Sequence, residues 1–407
     1  MYFIEFIKGS VKQVTTGNKY YWAWVVFLCL LIVIGTIAYI NQMVSGLLVT
    51  SMRDQVPWGM YIGNFTFLVG VAAAAVVLVI PAYIYNWGPI KEIVIFGELL
   101  AISAIIMCIG FVVVDVGHPE RVWHMLPLLG TMNFPSSLLC WDVVVLNMYF
   151  LLNFSIATYL LYKAFMREDY NHKLVTPLVL FSIPMAVSIH TVTAFLYNGL
   201  AARPFWNASI LAPRFLASAF CSGPAIMIIL FQVLRKTTKF KIKDEAIWKV
   251  AELMAYAMGF NLFLLIAEVF KEFYSDTHHL VHTKFMLFGY HGHHNIVMFT
   301  WFAIFASVAA FIIFVIPSTR KNFLTLNVGC ILIYFGVYIE KGVGLIIPGL
   351  TPDVLGEIYE YTPSNTEIFV SMGIFSLGFL IFTLMMKVAV PITRGEFHSS
   401  RVSVSQE

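Results

Sequence analysis

Residues 93–114 read IVIFGELLAISAIIMCIGFVVV, twenty-two residues in which Glu98 is the single charged side chain. A bilayer core takes roughly 20 consecutive apolar residues per helix, so this stretch predicts a membrane span. Working outward, nine further stretches have the same character: 22–48, 58–84, 137–162, 174–200, 209–233, 247–270, 295–316, 323–345 and 366–390. The chain of 407 residues is 60% hydrophobic and 12% charged, about half the usual charged share. A soluble enzyme is excluded. The expectation is an all-α, polytopic membrane protein of about ten transmembrane helices.

The net charge of +3 says little about partners, because the position of lysine and arginine relative to the spans sets the orientation. Of 25 such residues, 18 fall on the side of the N-terminus, including Lys8, Lys12, Lys163, Arg167, the run from Arg235 to Lys249, Arg320 and Lys387. Seven lie on the opposite side: Arg53, Arg121, Arg203, Arg214, Lys271, Lys284 and Lys341. The expected placement is a multi-pass protein of the cytoplasmic membrane with both termini inside. Trp22, Trp87 and Trp248 at inner ends, and Trp58, Trp123, Trp141 and Trp206 at outer ones, fit interfacial belts. The first span is too long for a signal-peptide core and lacks a small-residue cleavage site after it, which reads as an uncleaved anchor. The polar tail at 394–407 is expected to be cytoplasmic and disordered.

A weak internal repeat relates the second to fifth spans to the sixth to ninth. Gly97-Glu98-Leu99-Leu100-Ala101 pairs with Ala251-Glu252-Leu253-Met254-Ala255 at an offset of 154. The expected organisation is one membrane domain containing a four-helix bundle over 58–200 and another over 209–345, with spans 22–48 and 366–390 flanking them.

Ionisable groups within spans are costly and mark function or pairing. The third span ends Val114-Asp115-Val116-Gly117-His118-Pro119-Glu120-Arg121-Val122-Trp123-His124, where Gly117 and Pro119 stop the helix. The fourth restarts after Asn133-Phe134-Pro135-Ser136-Ser137 and carries Trp141-Asp142 about one turn in. Asp115, His118, Arg121, His124 and Asp142, with Trp141 as an apolar wall, can therefore converge near the outer surface. Proton donors and acceptors against such a wall suit the binding and protonation of a quinone head group. The competing expectation is an ion pair from Asp115 or Asp142 to Arg121.

Along the fourth span Asp142, Tyr149 and Asn153 share one face. With Glu98, Glu252, Glu268, His190, Glu340 and Lys341 they make a candidate proton path; interhelical hydrogen bonding is the simpler account of the Asn and Tyr. Lys341 is expected to find its counter-charge in Glu340 or a neighbouring carboxylate. His190 is the one histidine clearly in mid-span, which disfavours a bis-histidine haem. Six histidines between His278 and His294 read as a polar lid or docking surface before a metal site, and no metal ligand is assigned. Cys29, Cys108, Cys140, Cys221 and Cys330 have no cluster spacing.

The segments Val56-Pro57-Trp58-Gly59-Met60-Tyr61-Ile62-Gly63-Asn64-Phe65, Asp115-Val116-Gly117-His118-Pro119-Glu120-Arg121, Ser188-Ile189-His190-Thr191-Val192-Thr193-Ala194-Phe195, Ala202-Arg203-Pro204-Phe205-Trp206-Asn207 and Glu340-Lys341-Gly342 resemble the NrfD/PsrC family. These are integral membrane subunits of respiratory complexes that exchange electrons with quinones. The span count is similar to its ten-helix, DsrP-like branch in sulfur-metabolising prokaryotes. The resemblance covers almost the whole chain. It implies a menaquinone site near the outer face of the first bundle, a ferredoxin-like iron–sulfur subunit docked outside, and no haem or cluster bound by this chain. It carries Asp115, His118, Arg121, His124 and Asp142 over as quinone-site candidates, and His190, Glu268, Glu340 and Lys341 as polar positions of the family. Many members have arginine where His118 stands. The alternatives are a proton or ion translocator without redox chemistry of its own, and a haem-b cytochrome.

Overall fold

The computed structural model describes residues 2–73, 75–125, 129–238, 240–276, 279–353 and 355–400. Ten of its helices are long and apolar enough to cross a membrane: Lys19–Ser45, Met60–Ile84, Val94–Asp115, Leu138–Met166, His172–Asn198, Leu211–Thr237, Asp244–Ser275, Asn295–Val315, Phe323–Leu350 and Asn365–Thr393. They are called the first to tenth spans below. Among the described residues there is no β-sheet, only an isolated bridge between Tyr290 and His293. Lipid offers the backbone no hydrogen-bond partner, so each crossing segment satisfies its own as a helix.

Local chemistry sets several ends. Asn18, Ser137, Asn171 and Asn322 cap the first, fourth, fifth and ninth spans through their side chains, satisfying backbone N–H groups that a helix start leaves open. The tenth opens on a capping box in which Ser364 and Glu367 serve each other's backbone. The second span carries a π-helical turn at Ile80–Ile84 that contains Pro81, a residue with no N–H to give. The ninth is two helices, Phe323–Lys341 and Val343–Leu350, separated at Gly342.

The second span lies at the centre. It packs on the third, fifth, sixth, ninth and tenth, and every residue from Tyr61 to Ala72 is buried. The first span is peripheral, with 11% of its apolar window buried against 71% for the second; it packs along the tenth. Gly35 and Gly373 allow that approach, since a Cβ on Gly35 would stand 2.6 Å from Gly373 Cα, the close contact of small residues that membrane helices use. The seventh span leaves Tyr256, Phe260, Phe263, Ile266 and Phe270 exposed, a stripe at helical spacing that is stable only against lipid.

Ten crossings bring the termini to the same face, and there they touch. Phe6, on the N-terminal helix Tyr2–Val14, packs on Phe165 with ring centroids 5.4 Å apart, and Phe397 packs on Phe165 at 4.9 Å. Glu5 accepts from the Ser399 hydroxyl at 3.1 Å and from the Ser400 backbone N–H at 2.8 Å. The expectation of a disordered tail is therefore corrected for residues 394–400: Phe397 supplies an apolar anchor and Glu5 a polar one. Residues 401–407 lie outside those described. The opposite end of the bundle is the far face.

Candidate functional site at the far face

Asp115 is the last residue of the third span. It is half-buried, and its Oδ1 is buried with no hydrogen-bond partner. Next to it, Gln42 of the first span donates to the Val114 carbonyl at 2.7 Å and accepts from the Tyr61 hydroxyl at 2.7 Å. Tyr61 lies within electrostatic reach of both Asp115 and Glu367. Glu367 in turn accepts from the Ser51 N–H at 2.8 Å, the Ser364 N–H at 2.9 Å and the Tyr361 hydroxyl. Burial and the Glu367 carboxylate push the Tyr361 hydroxyl above its ordinary pKa, and that hydroxyl accepts from the Met60 N–H at 2.8 Å. The start of the tenth span is thus tied to the start of the second, beside Asp115.

Asp142 is buried one turn into the fourth span and accepts a 2.6 Å hydrogen bond from Thr193 of the fifth. The Tyr197 hydroxyl, bonded to Thr66, lies within electrostatic reach of both Asp142 and Asp115. Tyr197 also stacks edge-on against Trp58 and Trp206, with ring centroids 5.6 and 5.2 Å away. Asp115, Asp142, Tyr61 and Tyr197 are thus linked through electrostatic reach at the far face, groups able to give and take protons in an apolar setting.

The remaining residues of the expected cluster point elsewhere. His118, Arg121 and His124 are exposed on or beside the turn Pro119–Met125. His118 Nδ1 stands 2.8 Å from Glu120 and Arg121 Nε 4.0 Å from it. The Glu120 backbone N–H and the His118 ring hold the Glu120 carboxyl below the usual carboxylate range. Trp141 is partly exposed, giving its N–H to Pro135 O at 2.8 Å. The expected ion pair from Asp115 or Asp142 to Arg121 is not formed: the helix ends at Asp115 and the extended Val116 carries the arginine out of the protein, where Glu120 is the carboxylate beside it.

Deeper, a second polar group joins the sixth, seventh and ninth spans. Arg214 bridges Glu268 and Glu340, the latter at 2.8 Å, and Asn261 donates to Glu340 at 3.2 Å. Lys341 is buried with Nζ 3.4 Å from the centre of the Phe215 ring. Lys341 forms no direct ion pair with Glu340, which the Arg214 fork takes, but it stays within electrostatic reach of Glu340 and Glu268 and also faces the second span. There it stands among Thr66, His190 and Ser222. His190 Nδ1 contacts Ala186 O at 3.0 Å, while His190 Nε2 and Ser222 Oγ have no partner.

On the fourth span Asn153 bonds the Tyr149 carbonyl at 2.7 Å, a bond within the helix, and Tyr149 reaches Ala72 O at 3.5 Å. Glu98 is buried within electrostatic reach of Tyr149, its Oε2 without a partner. Glu252, its counterpart in the repeat, is only half-buried and pairs with Lys249 at 3.2 Å near the terminal face, outside this polar belt. Among the described residues no group of three or more His, Cys, Asp or Glu is placed to hold a metal; His278 lies outside them, His282 bonds Pro348 O at 2.7 Å and His293 stands 3.4 Å from Glu360.

Sequence reasoning gave no site role to Gln42, Tyr61, Thr193, Tyr197, Arg214, Tyr361 and Glu367. Only Glu367 carried a local signal, since Ser364 three residues earlier makes a capping box. Arg214 reads in sequence as an outer-end charge, and only packing turns it inward.

A protein-family model described as "Polysulphide reductase, NrfD" matches residues 48–352, about three quarters of the chain. The chain is 24% identical over 403 residues to a selenate reductase subunit of Mesobacillus selenatarsenatis, covering 88% of this chain and 92% of that protein. It is 24% identical over 401 residues to a putative dimethyl sulfoxide reductase membrane subunit of Halobacterium salinarum, 88% of each. It is 23% identical over 396 residues to the Hdr-like menaquinol oxidoreductase integral membrane subunit of Archaeoglobus fulgidus, 93% of this chain and 95% of that one.

Proposed function

The chain belongs to the NrfD family, membrane subunits of quinone-linked oxidoreductases, and from that premise we propose that it exchanges electrons between menaquinone and an iron–sulfur partner at its far face. The observation that carries this reading is the unpartnered, buried Oδ1 of Asp115. A buried polar atom without a partner is costly, and a ligand that hydrogen-bonds it removes the cost. The chemistry of the residues supports a quinone head group: the Asp115 and Asp142 carboxyl groups suit its oxygens, and Trp58, Tyr197 and Trp206 make the neighbourhood aromatic.

When bound, menaquinone supplies the two-electron, two-proton chemistry. Asp115 would hold a proton at Oδ1 for the head group, with Glu367 and Tyr61 setting the electrostatic field around it. Asp142 holds a second proton, oriented by Thr193. Gln42, by fixing both the Val114 carbonyl and Tyr61, keeps Asp115 in place. His118, Arg121 and His124 belong to an exposed turn that faces the iron–sulfur partner. The two-bundle division and the placement of the terminal face in the cytoplasm are part of this reading. The complex in view is a DsrMKJOP-like assembly of sulfur metabolism; a menaquinol oxidoreductase among the relatives supports the quinone type.

Proton movement accompanies this reading. Glu98, Tyr149 and Asn153 run along one side, while His190, Lys341, Glu340 and Glu268 run along the other. His190 Nε2 and Ser222 Oγ, buried without partners beside Lys341, are the groups on the second side left open to a proton carrier. An azido-quinone photolabel on the purified complex tests the site: label within 110–145 is expected. Label confined to the sixth to ninth spans overturns it.

A further inference from the structure

Tyr361, tied to the surroundings of Asp115 through Glu367, also lines a second space. A cavity of about 260 Å3 lies between the start of the second span, the eighth and ninth spans and the loop that precedes the tenth. Tyr361 joins the two places: it lines the cavity, and its hydroxyl donates to Glu367, the carboxylate within electrostatic reach of Asp115. Gly63 and Gly342 line it where the second and ninth spans come into close contact. A Cβ on Gly63 would stand 3.1 Å from Gly342 Cα.

We propose that this cavity is a second binding site for a naphthoquinone head group. The inference rests on the quinone-linked reading of the chain. Its size falls just under the roughly 300 Å3 at which small-molecule pockets begin, the scale of a ring and not of a whole cofactor. Phe285, Phe299 and Ile346 supply flat and aliphatic walls. Phe299 is 46% exposed on the eighth span, so the cavity borders lipid and a membrane-soluble ligand enters sideways.

Polar groups select the class of ligand. Asn64 accepts from the Tyr338 hydroxyl at 2.6 Å and gives one amide hydrogen to Ser371 at 3.1 Å. Asn295 gives one to Glu360 at 2.6 Å. A carboxamide carries two N–H donors, so each asparagine keeps a second for a carbonyl oxygen. A flat apolar ring bearing carbonyls uses both the walls and these donors, whereas a saturated acyl chain leaves the buried Asn64 donor unmet. Two quinone positions, one at Asp115 and one here, then share the Tyr361–Glu367 hydrogen bond as their common wall.

The test is photolabelling of the intact complex in mild detergent with an azido-naphthoquinone, read by peptide mass spectrometry. Two labelled segments are expected, 110–145 and 338–363. Excess short-chain menaquinone clears both, and the same excess of phospholipid clears neither. Val343→Trp places an indole in the cavity and lowers the 338–363 label about tenfold while sparing 110–145. Label in 110–145 with none in 338–363 overturns the inference, as does label in 338–363 that phospholipid clears and menaquinone does not. Label in 338–363 alone supports the cavity and removes the Asp115 reading. These competition arms use the unaltered chain and decide the matter even where Val343→Trp fails to assemble.

Discussion

Thr193 on the fifth span donates a 2.6 Å hydrogen bond to Oδ1 of Asp142 on the fourth, and both residues are buried. The pair joins neighbouring helices through a hydroxyl and a carboxyl, with no cation involved. A substitution that keeps an acceptor oxygen at Asp142 therefore keeps the join, while one that removes the acid does not keep its chemistry.

Asp142→Asn is expected to assemble normally and to slow quinone turnover by about 10² to 10⁴, the usual contribution of a general acid or base. Quinol-dependent activity and the stoichiometry of the assembled polypeptides are measured on the same purified complex. Normal turnover in an assembled variant removes Asp142 from proton exchange; failed assembly makes its role structural.

Arg214→Met is expected to destabilise the chain by about 3 to 5 kcal/mol, because Glu268 and Glu340 are left facing each other without their cation. Adding Glu268→Gln and Glu340→Gln is expected to recover most of that loss. Thermal aggregation of the detergent-solubilised protein reports both. An unshifted midpoint for Arg214→Met would show that the fork contributes nothing to folding.

A reporter fused after Glu407 is expected to behave as cytoplasmic. The lysine and arginine split of 18 to 7 favours that face, and the contact between the N-terminal helix and Phe397 puts both termini on it. Activity of a reporter that works only outside the cytoplasm would invert the orientation.

The clasp between Glu5 and the tail is expected to be acid-labile. Hydrogen bonds from Ser400, and secondarily Ser399, hold the Glu5 carboxyl below its ordinary pKa of 4.5. A depressed carboxylate pKa stabilises the folded contact at pH above the ordinary value, and that contribution disappears as the pH falls through the depressed one. Glu5→Gln is expected to loosen residues 399–400 already at neutral pH. Hydrogen–deuterium exchange at Ser400 follows both; exchange that ignores pH and substitution alike would mean that Phe397 alone holds the tail.

The span count and most span boundaries were legible from residues such as those at 93–114, because lipid rewards an unbroken apolar run and that reward is local to the chain. Asp115 and Asp142 were legible as candidates for the same reason in reverse, since a carboxyl group in an apolar run stands out. Their surroundings were not. Arg214 sits four residues into its span and reads as a surface charge, but helix packing turns it onto Glu340, a residue 126 positions away. Glu367 reads as a cap, yet its other partners are Ser51 and Tyr361. His118, Arg121 and His124 stand beside Asp115 in the chain and leave it in space, because a helix that stops at Asp115 no longer sets their direction. Hydropathy is a sum over neighbours in sequence and so the chain itself determined how many times it crosses; which polar groups meet depends on helix rotation and on contacts such as Gly35 with Gly373, and only the tertiary structure decided those.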